Sequence, residues 1–208
     1  GIKSKNILGG LLSATEMIVD PSAAIETLPG SLKDNHGVQF IWHTAVTAVE
    51  PNKVWMGDES LNADIVCICS GADFETLFPE KFSELNITKC KLQMMRFINN
   101  DNNFRIGTSV CGGLSLIHYE SFKAAPSLPL LKERYQIELN DYLRAGIHVM
   151  ISQNGKGELT IWDFHQYGLT FEPFDEAEIN ELIMKYLSTF AQTESLKLLQ
   201  PWHGIYPK

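Results

Sequence analysis

Most signatures that would declare a function are missing from this sequence. No GxGxxG joins a strand to a helix, so the loop that cradles a dinucleotide pyrophosphate is not among these 208 residues. No HxH or HExxH spacing occurs, and the four cysteines form no CxxC pair, which leaves no ready zinc motif. Neither a Ser-His-Asp nor a Cys-His signature is recognisable. Basic residues are scattered and outnumbered: 17 Lys and Arg against 25 Asp and Glu give a net charge of -8. That balance argues against nucleic acid or an anionic membrane as the main partner. No apolar run approaches the ~20 residues needed to span a bilayer. Internal repeats and low-complexity linkers are also absent.

What is present reads as an ordinary globular chain. With 44% hydrophobic and 20% charged residues it can bury a substantial core, and disorder is excluded. The opening GIKSKNILGG reads as a fragment boundary, and the location expected is cytoplasmic. Asp20-Pro21 predicts a helix start, cap then proline. The helix carries Ile25, Leu28 and Leu32, is expected to kink at Pro29-Gly30, and stops at Gly37. VQFIWHTAVTAVE reads as extended chain bent near Thr44, and NKVWM with ESLN as a short meander. Ile65 to Cys69 is an unbroken apolar run ending at Ser70-Gly71. It predicts a parallel strand buried on both faces, with Cys67 and Cys69 as core thiols.

From about residue 88 the pattern changes to long, mostly antiparallel strands with helices between them. CKLQMMRFI and GGLSLIHYE read as strands around a polar loop, and SLPLLKERYQIELNDYL as one helix opening at Pro129. GIHVMISQ and ELTIWDFH flank NGKG, a hairpin signal in which Asn154-Gly155 supplies the positive φ. DEAEINELIMKYLSTF carries Ile179, Leu182, Ile183, Tyr186, Leu187 and Phe190 at helical spacing, with Asp175 and Glu178 as a capping box. LKLLQPWHGIYPK reads as strand, break, strand. The fold class expected is therefore α+β (mixed α/β). Residues 1-87 would form a partial parallel sheet, and 88-208 a larger mixed or antiparallel sheet with helices on one face.

The segments VDPSAAIETL, HGVQFIWHTAVTAVE, LNADIVCICSGAD and PWHGIYP, in this order, resemble the middle of the glycine oxidase/D-amino acid oxidase-like flavoproteins. CKLQMMR, LIHYESF, GIHVMISQNGKGELTIWD and WHGIYPK look more closely like a clade associated with phosphonate metabolism. The resemblance covers nearly the whole chain. It implies a partial FAD-binding domain over 1-87 and a substrate-binding domain over 88-208. The glycine-rich unit would precede residue 1, and a second flavin-contacting segment would follow Lys208. The activity implied is hydride transfer from a small primary or secondary amine, an amino acid or an aminophosphonate, to FAD. The cofactor carries the hard chemistry and the protein orients it. This chain alone is expected to hold little FAD, for want of the pyrophosphate loop.

Residue by residue, the resemblance matches Val46 to a strand valine that meets the adenine, and Ser70 and Gly71 to the turn beside the cofactor. Tyr206 stands where relatives carry an arginine that forks onto the substrate carboxylate, so an ordinary α-amino acid would be held poorly by this route. His148 opens the strand that lines the substrate side in relatives. His165 lies on its partner strand and His118 in LIHYESF. Together the imidazoles are expected to hold an anionic group such as phosphonate. If they line the pocket with Tyr206, then His148 and Tyr206 belong on neighbouring strands, facing the same way; His203 should face the opposite side. No catalytic residue and no metal ligand is singled out. Two other readings stand beside this one. The sheet could be a non-catalytic ligand-binding module, or the histidines could serve a metal-dependent hydrolase with Asp163 or Glu120.

Overall fold

A computed structural model describes residues 2, 3, 5, 7–101 and 103–208. The chain divides into two units, Asp20–Lys89 with Tyr206–Lys208, and the described residues up to Val19 with Cys90–Ile205. The fold is α+β, and its sheets are antiparallel. No helix among the described residues is long and apolar enough to cross a membrane.

In the smaller unit, helix α1 (Pro21–His36) begins as its sequence predicts. The Asp20 carboxylate accepts from Ser22 N–H at 3.1 Å, Pro21 takes the first turn, and Gly37 ends the helix at φ 66. The helix runs on through Pro29-Gly30. The chain then turns at Trp42-His43, close to the bend expected at Thr44, and pairs only from Ala48. Strands β1 (Ala48–Glu50), β2 (Lys53–Met56) and β3 (Glu59–Asn62) make the expected meander, in the order β1-β2-β3. A short helix, α2 (Pro79–Glu84), follows.

The parallel strand does not form. Ile65 to Cys69 takes no strand conformation, Ile65 is 84% exposed, and Cys67 and Cys69 are exposed rather than core thiols. Apolar character makes a strand only where a neighbour takes the backbone hydrogen bonds. A parallel neighbour must lie a crossover away in sequence, whereas every pairing in this sheet joins strands adjacent in sequence.

The larger unit is a five-stranded sheet. Its elements in chain order are β4 (Lys89–Asn99), β5 (Val110–Cys111), α3 (Ser115–His118), a 3-10 turn (Glu120–Ala124), α4 (Leu128–Glu138), α5 (Asn140–Arg144), β6 (Ile147–Gln153), β7 (Leu159–Gly168), α6 (Ala177–Leu187) and β8 (Leu196–Pro207). The strand order is β5-β6-β7-β4-β8. Helix α6 buries Ile179, Ile183, Tyr186 and Leu187 in one core with Ile147, Val149 and Ile151 of β6 and Leu159, Ile161 and Phe164 of β7. Each such side chain contributes about 1.5–3 kcal/mol when fully buried.

Five local expectations change here. GGLSLIHYE is no strand: it turns at Gly112-Gly113 into α3. The predicted single helix after Pro129 breaks at Leu139 into α4 and α5. In the β6–β7 hairpin the positive φ falls on Gly157, at 84°, while the Asn154 side chain accepts from Lys156 and Glu158 N–H. β8 runs unbroken through Pro201, because it ends the sheet order and an edge strand tolerates a missing N–H. The capping box is replaced by Gln93 of β4. Gln93 accepts from Glu176 N–H at 2.9 Å and donates to Glu176 O and Asn180 Oδ1, both at 3.1 Å.

Asp175 is thereby free for other work. It meets His203 Nδ1 at 2.9 Å and the Lys91 ammonium at 3.4 Å. Lys91 is 1% exposed and also donates to Glu172 O and Phe174 O at 3.0 and 2.6 Å. Two carbonyl acceptors and one nearby carboxylate charge compensate the ammonium, which is how a lysine can be buried here.

Candidate functional site

The β6–β7 ladder is interrupted once. Ile147 faces Phe164, and the next pair is Met150 with Trp162, so His148 and Val149 stand opposite Asp163 alone. This is a β-bulge, a device that re-aims side chains at the cost of regular pairing. Both sides carry backbone strain: Val149 sits at φ 49 and Asp163 at φ 128. A β-branched residue is a poor fit to positive φ, and each such residue costs on the order of 1–3 kcal/mol. Strain of this size persists where the surroundings over-determine it.

Around the bulge lies a cluster of ionisable side chains. His148 Nδ1 is 3.0 Å from Asp163 Oδ2, and His165 Nε2 is 3.2 Å from Asp163 Oδ1. His148 and Asp163 are each 2% exposed. The Nδ1–Oδ2 approach is within ion-pair distance but off the hydrogen-bonding line, so its attraction is chiefly electrostatic. The Ser115 hydroxyl lies 3.2 Å from His148 Nδ1 and donates to His148 O at 3.3 Å. His118 completes the group. Its ring stacks on His148 at 4.0 Å between centroids and lies 5.0 Å from His165, with planes within 25°. One ligand nitrogen from each of the three histidines lies within 4.8 Å of the other two.

Two glycines let α3 reach this place. A Cβ on Gly112 would lie 2.6 Å from Tyr186 Cε1 and 3.0 Å from His148 O, and one on Gly113 would lie 2.7 Å from the Tyr135 hydroxyl. A residue without a side chain fits so close to α6 and β6 at Gly112, and to the Tyr135 hydroxyl of α4 at Gly113. Tyr186 then accepts from Leu114 N–H at 3.0 Å and fixes the start of α3. Ser115 and His118 are delivered from there.

The Asp163 charge is felt beyond its own contacts. The Tyr119 hydroxyl is pushed up to about 12, first by burial and then by Asp163 and Cys111. The Cys111 thiol is also pushed up, by burial first and by the charges of Asp163 and Glu16 after it. Tyr119 stands edge-on to both His118 and His148, and Tyr167 is parallel to His165 at 6.0 Å.

Three of the four residues expected on the substrate side, His118, His148 and His165, therefore come together. Tyr206 does not join them on an adjacent strand: β7 and β4 lie between β6 and β8 in the sheet order. The neighbour relation expected if they lined one pocket fails because β8 pairs at the far edge. Val46, half-buried, precedes β1 in the smaller unit. Ser70 and Gly71 form a tight turn there, with Gly71 at φ 61 and the Ser70 hydroxyl donating to Asp73 O at 2.9 Å. Glu120 is exposed and pairs with Lys123, leaving Asp163 as the carboxylate of the cluster.

Sequence reasoning missed Ser115 and the Gly112-Gly113 doublet, and it named Asp163 only under the metal reading. A charged residue inside the otherwise apolar strand LTIWDF was the available signal. A scan of known protein families and searches among curated proteins and solved structures find no match to this chain.

Proposed function

We propose that this chain forms part of a flavin-dependent amine oxidoreductase that removes a hydride from the carbon bearing the nitrogen of a small amine, an amino acid or an aminophosphonate. The reading rests on the order and spacing of the motifs that resemble the glycine oxidase/D-amino acid oxidase-like family. The observation that supports it most is the convergence of His118, His148 and His165 on one carboxylate.

An alkylammonium has no lone pair to push out a hydride, so its proton must leave first. A neutral imidazole backed by a carboxylate is suited to take it, because the carboxylate stabilises the imidazolium that forms. His148, held by Asp163 and Ser115, and His165, held by Asp163, are both in that position. The imine left by the hydride then hydrolyses in water. FAD, when bound, supplies the hydride acceptor.

Of the residues that the resemblance would set beside FAD, Ser70 and Gly71 share one turn. Nothing lies within 4 Å of a Cβ at Gly71, as at Gly57 and Gly107, so the turn is open and forms no cradle of its own. The chain has no GxGxxG to grip a pyrophosphate. A cytoplasmic location belongs to the same reading. To test it, the open reading frame containing this chain is expressed whole, and its visible flavin absorbance is followed anaerobically with glycine and with 2-aminoethylphosphonate. Bleaching by the aminophosphonate supports the proposal. A colourless protein that takes up no added FAD overturns it in favour of a non-catalytic binding module.

A further inference from the structure

We propose that His118, His148 and His165 form a three-imidazole site for a divalent transition-metal ion, zinc foremost, with Asp163 orienting two of the rings from behind. The proposal stands on the geometry of the cluster; it claims the lone pairs that would otherwise take the substrate's proton, so the metal content decides between the two roles.

The donor atoms are set by Asp163. A carboxylate only accepts, so the ring nitrogens that face it carry the protons: His148 Nδ1 and His165 Nε2. The Ser115 hydroxyl spends its proton on His148 O and turns a lone pair toward the same Nδ1, which favours the same tautomer. The opposite nitrogens, His148 Nε2 and His165 Nδ1, are then the bare lone pairs. His148 Nε2 is buried and meets no hydrogen-bond partner among the described residues. A carboxylate holding the far nitrogen of a ligating imidazole is the usual support of such sites. It fixes the tautomer and makes the ring a stronger donor.

Charge decides which guest the cluster favours. Asp163 lies within 3.2 Å of two imidazoles and is almost wholly buried, so its charge is poorly screened. Neutral imidazoles bring no positive charge to set against it, so an anion is disfavoured by the carboxylate. A dication is favoured by the carboxylate and by all three lone pairs. Three nitrogen ligands suit zinc and leave its fourth position open, where an acidic group of a small molecule could bind. The ion would thus supply the positive charge that the histidines alone do not.

The fit requires a modest closure. Tetrahedral zinc with nitrogen bonds of ~2.0–2.1 Å needs ligand atoms roughly 3.3 Å apart. One nitrogen of each ring already lies within 4.8 Å of one on each of the other two, with the rings stacked. Turning the rings about their Cβ–Cγ bonds brings the lone pairs together. His118, on a four-residue helix and only half-buried, is the ring with most room to turn.

The test is equilibrium dialysis of the full chain against zinc sulfate, with metal measured by elemental analysis and folding followed by circular dichroism. One zinc per chain is expected, with three nitrogen neighbours by X-ray absorption. His118→Gln, at the half-buried position, should lose the stoichiometric ion while remaining folded. Asp163→Asn should weaken binding about 10- to 100-fold. A double variant His36→Ala, His43→Ala, altering exposed histidines elsewhere, should keep the ion. Absence of stoichiometric zinc from the folded wild-type chain overturns the proposal. So does zinc that survives in both His118→Gln and His148→Ala.

Discussion

His148 and Asp163 face each other across a β-bulge, Nδ1 to Oδ2 at 3.0 Å, and each is only 2% exposed. Asp163 meets His165 as well, so one carboxylate answers two imidazoles. Removing it takes the charge partner from two largely buried imidazoles, while His148 Nδ1 keeps the Ser115 hydroxyl at 3.2 Å. Asp163→Ala should lower stability by about 1–3 kcal/mol, the cost of leaving buried polar groups without their partner. Asp163→Asn, which keeps one carbonyl oxygen, should fall between the variant and the wild type. Urea unfolding reads this directly; a midpoint unmoved in Asp163→Ala would mean that the three side chains do not hold one another.

Two glycines should respond in opposite senses. In Gly112→Ala the new methyl would press on the Tyr186 ring and the His148 carbonyl, at 2.6 and 3.0 Å. Backbone cannot swing away, so a loss of about 1–3 kcal/mol is expected. Gly30→Ala lies within α1, with nothing inside 4 Å of its Cβ. There the gain should be about 0.5–1 kcal/mol from the smaller entropy of the unfolded chain. Thermal melts of the two variants test the pair.

Alkaline pH should unfold the larger unit through its tyrosines. Burial pushes the Tyr186 hydroxyl up to about 12, against an ordinary ~10 in the unfolded chain. Below pH ~10 both states hold the proton and stability is flat in this respect. Between about 10 and 12 the unfolded state binds fewer protons, so stability falls as pH rises. Tyr186→Phe should flatten part of that fall, while losing about 1 kcal/mol at neutral pH with the Leu114 hydrogen bond. Unfolding titrations at several pH values distinguish the two effects. An unaltered alkaline slope in the variant would rule out Tyr186 as its source.

The four thiols should separate by labelling rate. Cys67 and Cys69 are exposed and should react first with iodoacetamide. Cys111 is exposed too, but burial of its thiol and the nearby acids raise its pKa, so less thiolate is present at neutral pH. Cys90 is fully buried and should label only on unfolding. Mass spectrometry over a time course gives the order; early modification of Cys90 would contradict it.

Elements carrying local instructions were legible in the sequence. Asp20-Pro21 and Gly37 bound α1 by chemistry that acts within a turn, and the stripe from Ile179 to Leu187 marks α6 by its period alone. Elements that depend on a distant partner were not. Ile65 to Cys69 has the composition of a strand, yet no strand among the described residues pairs with it. Asp175 looked like a cap, but Gln93, far away in sequence, takes that role. The candidate site divides in the same way. His118, His148 and His165 could be named from residue type and resemblance. The bulge that points two of them at Asp163 is a matter of register, and register does not show in composition.

The hairpin that carries the bulge also bears on when the site forms. His148, Asp163 and His165 all lie on β6 and β7, joined by a turn that Asn154 closes on itself. Bringing them together needs only a short loop, whose closure entropy is small, and hairpins form within about 1–10 μs. Their meeting is thus among the cheapest long contacts the chain makes while folding. Ser115 and His118 come from outside the hairpin and wait for Gly112-Gly113 to settle against Tyr186. The charged half of the cluster is therefore expected to assemble early, and the half that closes it to arrive with the core.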